Sequence, residues 1–157
     1  MKLSWRKGFN FGLTSGIITT LGLMVGLESG TGSKAVVLGG ILTIAIADSM
    51  SDALGMHISE ESSKEKTTKQ IWISTLSTFL AKLFFALTFV IPVLLFPLPQ
   101  AIFISIIWGF LAIGFISWRL ARNRQESTWS VVLEHWFVTA LVIVLTHYVG
   151  HAISSLF

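Results

Sequence analysis

IWISTLSTFLAKLFFALTFVIPVLLF, the stretch from Ile71 to Phe96, is an almost unbroken apolar run with a single charge inside it, Lys82. A helix needs about 20 mostly apolar residues to cross the hydrocarbon core of a bilayer. This run is long enough, and Pro92 within it predicts a kink of the kind that membrane helices tolerate. Moving outward, four more stretches qualify: Gly8 to Leu27, Ala35 to Ile58, Ala101 to Trp118 and Val131 to Phe157. The second and fifth carry polar residues inside them.

The composition agrees. Of 157 residues, 53% are hydrophobic and only 12% charged, with a mean hydropathy of +0.77. A soluble domain carries about a quarter charged residues. The expected fold is therefore an all-α integral membrane protein, a single transmembrane domain over residues 1–157 with five spans. There are no cysteines, which excludes disulfides, thiolate metal sites and cysteine nucleophiles. The first span has the basic start of a signal peptide, but it is too long and lacks a small-residue cleavage pattern, so it reads as a retained helix.

The connecting segments are short. Glu28 to Lys34 and Pro97 to Gln100 are turn-like, 59–70 is a charged cytoplasmic segment, and Arg119 to Ser130 is mixed polar. Lys and Arg set the orientation. Lys2, Arg6, Lys7, Lys64, Lys66, Lys69, Arg119, Arg122 and Arg124 fall on one side, and Lys34 alone on the other. This puts the N-terminus in the cytoplasm and the C-terminus outside. Basic residues in such clusters are orientation signals rather than a nucleic-acid face, despite a sequence pI of about 9.5.

A charge at the bilayer centre costs about 2.5–3.5 kcal/mol on insertion scales, so each one needs a reason. Asp48, Asp52 and Met56 are spaced i, i+4, i+8 and share one helical face. Carboxylates suit hard or borderline divalent cations, and a thioether adds a softer ligand. A polar helix–helix contact without an ion is the plainer alternative, favoured by the small neighbours Ser49, Ser51, Ala53 and Gly55. From the rise per residue, Asp48 and Lys82 lie roughly 15 Å and 17 Å from the cytoplasmic side, which predicts a shared cavity or an ion pair.

Glu134 and His135 read as interface anchors. His147 and His151 form an i, i+4 pair that suits either a metal or the polar lining of a vestibule. Gly8, Gly12 and Gly16 form a stripe that packs helices backbone to backbone, across a dimer or within the chain. Glu60, Glu61 and Glu65, alternating with lysines, read as a solvated helix extension. Gly-rich phosphate loops, GxSxG and HExxH are all absent, so the chain reads as a non-enzyme.

The first two spans resemble the vacuolar iron transporter family of iron and manganese transporters. FGLTSGIITTLGLMVGL (Phe11 to Leu27) follows the family's first span, and ADSMSDALGMHIS (Ala47 to Ser59) matches its second at Ala47, Asp48, Ser51, Gly55 and Ser59. EESSKE (Glu60 to Glu65) looks like the start of the family's cytoplasmic segment. The turn before the fourth span and Tyr148 to Gly150 are similar more loosely. The resemblance implies a divergent small member: five helices, a homodimer packed through the first helix at Gly8, Gly12 and Gly16, and export of Fe²⁺ or Mn²⁺ from the cytosol in exchange for protons. It implies no permanently bound cofactor; the metal is cargo. The membrane would be the plasma membrane of a prokaryote, or a vacuolar or organellar membrane of a eukaryote.

The chain departs from the family at informative positions. The family's first-span Asp, a metal ligand, aligns with Ser15; its second-span Met aligns with Asp52; a following Glu aligns near Met56. Lys82 is not part of the family pattern. Two readings follow. In one, metal transport persists with Asp48, Asp52 and Met56 as ligands, and Ser15, Ser51, Lys82 and Glu60 along the pathway. In the other, Lys82 takes the cation's place beside Asp48, and the protein moves protons or another ion, or serves as a non-transporting membrane scaffold.

Overall fold

A computed structural model describes residues 2–63, 65–124 and 127–156; of Asn123 and Arg124 only the backbone is described. Lys64, the Arg124 side chain and Phe157 thus lie outside what is described. The described chain is all helical: α1 (Lys2–Thr31), α2 (Lys34–Glu61), α3 (Thr68–Thr88), α4 (Val90–Leu95), α5 (Leu98–Arg124) and α6 (Thr128–Leu156). With α3 and α4 taken as one broken span, five helices are long and apolar enough to cross a membrane. The chain is an integral membrane protein.

α1, α2 and α5 outrun their apolar stretches at both ends, and α6 and the third span do so at their starts, because polar residues at the interface keep helical backbone bonds while their side chains reach water. Segment 59–70 therefore shrinks. Glu60 and Glu61 still belong to α2, and α3 starts at Thr68, where Thr67 and Gln70 form a reciprocal capping box. The turn expected at Pro97 to Gln100 shortens likewise, since α5 begins at Leu98, with Pro99 in the first turn, where a missing N–H costs nothing.

The third span breaks at Phe89, three residues before Pro92. Pro92 cannot donate to the Thr88 carbonyl, and its ring crowds that carbonyl. The Thr88 hydroxyl is engaged nearby: it donates to Phe85 O at 2.6 Å and accepts from Trp108 Nε1 at 3.0 Å. Lys34 donates to the carbonyls of Leu94 and Phe96 at 3.3 and 3.1 Å, so the one basic residue on the far side caps a helix C-terminus. Between α1 and α2, Gly32 has φ +58°, the left-handed conformation that ends helices and favours glycine.

α1 is the central helix and touches α2, α3, α5 and α6. Leu13, Ile17, Leu21, Met24 and Val25 pack against Val37, Ile41, Phe89, Val93, Ala101 and Ile113. Its glycines let two neighbours approach to backbone contact. A Cβ on Gly8 would fall 2.2 Å from Ser74 O, one on Gly12 would fall 2.4 Å from Thr78 O, and one on Gly16 would fall 2.9 Å from Lys82 O. The Gly8, Gly12 and Gly16 stripe is thus filled by α3 of the same chain, and this face is not free for a dimer. A second stripe, Gly22, Gly26 and Gly30, serves α6, whose Gly150 is so close that a Cβ there would fall 2.2 Å from Gly26 O.

Candidate functional site: two ion clusters on one ridge of the second helix

Asp48, Asp52, Met56 and Glu60 follow one another at i+4 along α2, on the side turned toward α1 and α3. Each step turns the ridge by only about 40°. The glycine face of α1 draws α3 close, and Lys82 emerges from α3 beside Gly16 with 1% of its surface exposed. Its ammonium lies 2.5 Å from Asp48 Oδ2 and also pairs with Asp52. It donates to Ser15 Oγ at 2.9 Å, and Ser15 in turn donates to Asp52 Oδ2 at 2.6 Å. Four side chains from three spans thus meet near mid-span, with Ser15 roughly 20 Å from the near end of α1 and Lys82 roughly 20 Å from either end of the broken third span.

The shared depth expected for Asp48 and Lys82 is a direct ion pair. The two carboxylates are held differently. Asp52 is fixed by aligned hydrogen bonds from Lys82 and Ser15, whereas Asp48 Oδ2 has charge contact without a hydrogen bond. Their side chains are 28% (Asp48) and 22% (Asp52) exposed on the protomer. That matters in a bilayer, because a carboxylate does not face lipid.

The remaining predicted residues divide. Met56 is buried one turn below Asp52. Ser51 is exposed and sits on the neighbouring ridge, away from Lys82. Among the described residues no three His, Asp or Glu side chains gather as a metal cradle. His147 bonds Ser29 at 2.6 Å, and His147 and His151 are both exposed. Glu134 is exposed, and His135 bonds Ser117 at 2.7 Å.

Glu60 departs from the sequence expectation. It is not solvated: it is 1% exposed. Lys7 of α1 pairs with it, Lys66 lies 3.3 Å away, and Ser74 Oγ of α3 lies 3.4 Å from Oε2. Glu61 and Glu65 are exposed as expected. The signal was present in the i+4 series. Extending 48, 52, 56 by one more turn reaches 60 and puts it on the inward side.

α2 also has an outer surface made of two parallel i+4 rows. Leu42, Ile46, Met50, Leu54 and Ile58 form a row of large apolar residues, all exposed. Beside them run Ala35, Gly39, Thr43, Ala47, Ser51, Gly55 and Ser59, all small and all exposed. A Cβ on Gly39 or Gly55 would meet nothing within 4 Å. This small row adjoins the Asp48–Asp52 ridge.

Comparison with protein-family models, with curated proteins and with solved structures finds no match to this chain.

Proposed function

We propose that the protein is a proton-linked cation transporter whose coupling centre is Asp48, Asp52, Lys82 and Ser15. One observation carries this reading: a buried ammonium held between two carboxylates in the middle of a membrane span. With all three groups ionised the centre bears a net charge of minus one. In a low-dielectric interior that residual charge calls for one more positive charge. A proton or a monovalent cation satisfies it, and exchange of one for the other is the elementary step of coupled transport. Ser15 and Asp52 provide a hydrogen-bonded path for rearrangement.

Fe²⁺ or Mn²⁺ transport, which the family resemblance implies, remains the second reading. The Ser15–Asp52 hydrogen bond favours it, since it sets a carboxylate of α2 beside the α1 position where the family carries its Asp. Against it, Lys82 occupies the space between the carboxylates, and a divalent ion would have to displace the ammonium. The nine-to-one bias of basic residues supports a cytoplasmic N-terminus. The compartment is the one expected from sequence, the plasma membrane of a prokaryote or a vacuolar or organellar membrane of a eukaryote.

The functional unit we propose is a homodimer packed through the small row of α2, not through the first helix. Small residues are what helices use to approach each other in lipid, and a partner helix there would also cover the open edges of Asp48 and Asp52. As the chain has no cysteine, a lone Ser51→Cys should cross-link between protomers in the membrane and Trp72→Cys should not. Equal cross-linking at both would remove the α2 interface.

Transport is tested in proteoliposomes carrying a pH gradient and an internal pH dye, challenged in turn with Na⁺, K⁺, Mn²⁺ and Fe²⁺. The proposal expects a monovalent cation to dissipate the gradient in wild type, and Asp52→Asn and Lys82→Met to lose that response. Dissipation by Mn²⁺ or Fe²⁺ alone would establish the divalent reading instead. No response to any cation in tight vesicles would leave the scaffold reading.

A further inference from the structure

Where α1 begins and α5 ends, on the basic side of the bundle, a cavity of about 360 Å³ opens between the two helices. Its outer tier carries Arg6 and Trp5 from α1 and Arg119 from α5; one turn deeper come Asn10, Phe9 and Ile116. The deeper side chains are amide, aromatic and aliphatic, and both cations of the lining are in the outer tier, beside Trp5 and Leu120. This is the order of chemistry along a phospholipid that enters from the bilayer edge: phosphate at the surface, then glycerol esters, then hydrocarbon.

The two arginines are available for a ligand. Among the described residues neither forms an ion pair or a side-chain hydrogen bond, unlike Lys7, Lys66 and Lys82. Trp5 and Phe9 stack with ring centroids 6.5 Å apart, giving the cavity an aromatic wall at the depth where tryptophan concentrates in membranes. A guanidinium presents a planar fork that matches phosphate oxygens, and basic pockets between helices at the cytoplasmic surface suit anionic headgroups.

We infer that this cavity is a binding site for the phosphodiester headgroup of an anionic phospholipid, with Arg6 and Arg119 on the phosphate, Asn10 donating to the glycerol region, and Phe9 and Ile116 against the start of an acyl chain. The inference rests on the protein being in a membrane and not on any transport activity.

The test is native mass spectrometry of the full-length protein in neutral detergent, titrated with phosphatidylglycerol or with phosphatidylcholine. Wild type should retain phosphatidylglycerol and release phosphatidylcholine. The double variant Arg6→Gln, Arg119→Gln should lose retention by roughly tenfold to thirtyfold, from the attraction of two surface cations for anionic lipid. Arg122→Gln should leave retention intact, because Arg122 sits over the Trp118 ring at 4.9 Å and does not line the cavity. Equal retention of both lipids by wild type would overturn the site without recourse to any variant. Full retention by a double variant that keeps the wild-type melting temperature would also overturn it. Displacement of the lipid by excess inorganic phosphate would show a site for free phosphate and overturn the lipid assignment.

Discussion

The bundle holds two ion clusters on the same ridge of α2, and their compositions are inverted. Near mid-span, one ammonium is shared by two carboxylates: Lys82 with Asp48 and Asp52. Three turns on from Asp48, at the end of the helix, one carboxylate is shared by two ammonium groups: Glu60 with Lys7 and Lys66. Both central groups are 1% exposed, so burial does not distinguish them. Their partners do. The Lys7 side chain is 52% exposed and reaches water, and so dissipates its charge there. Asp48 and Asp52 have no comparable outlet at mid-span. Buried charge thus has an outlet to water through a partner at the helix end and none through its partners in the middle.

The comparison is broken most directly at Lys82. Lys82→Met leaves two carboxylates facing each other without a counter-charge and should cost about 3–5 kcal/mol of stability. Adding Asp52→Asn should recover a good part of that loss, because it removes one of the two stranded charges and their mutual repulsion. Unfolding of both variants in mixed micelles measures this. A single variant as stable as wild type would mean that the mid-span cluster holds no real strain of charge.

Glu60→Gln should have a smaller effect, about 1–2 kcal/mol, because the freed Lys7 is half in water and the amide still accepts a hydrogen bond. Its cost should shrink as salt is raised, whereas that of Lys82→Met should not, since screening acts on charges near water. Equal salt dependence in the two variants would erase the distinction drawn above. The smallest effect belongs to Lys66→Ala, below about 1 kcal/mol in the same assay, as its contact is long and partly exposed. A larger loss would show that the linker before α3 is anchored through Glu60.

Much of this architecture was readable in the sequence, for identifiable reasons. Span number and the break near Pro92 follow from apolar length and a missing amide hydrogen. The meeting of Asp48 with Lys82 follows from rise per residue, which sets depth without knowledge of packing. Rotation about the helix axis was harder to read. Ser51 belongs to the same polar segment as Asp48 and Asp52 but lies on the next ridge and faces outward. Glu60 looked solvated because its neighbours are charged, although its register places it inward. The glycines of α1 announced close packing but not its partner, since an approaching backbone leaves no trace in the sequence of the helix it approaches. The second stripe, at Gly22, Gly26 and Gly30, was legible by the same spacing as the first.

The glycines of α1 and α2 would also sort themselves in a genetic screen. On α1 a methyl group at Gly8 or Gly12 meets backbone atoms, so almost any replacement there damages the protomer itself and is lost with protein abundance. At Gly39 and Gly55 of α2 the surrounding space is open, so a bulky replacement leaves a single protomer able to fold. A deep mutational scan that scored abundance and activity separately would therefore find α1 intolerant in both scores. Positions on α2 that are neutral in the first and intolerant in the second would trace whatever this helix meets in the membrane.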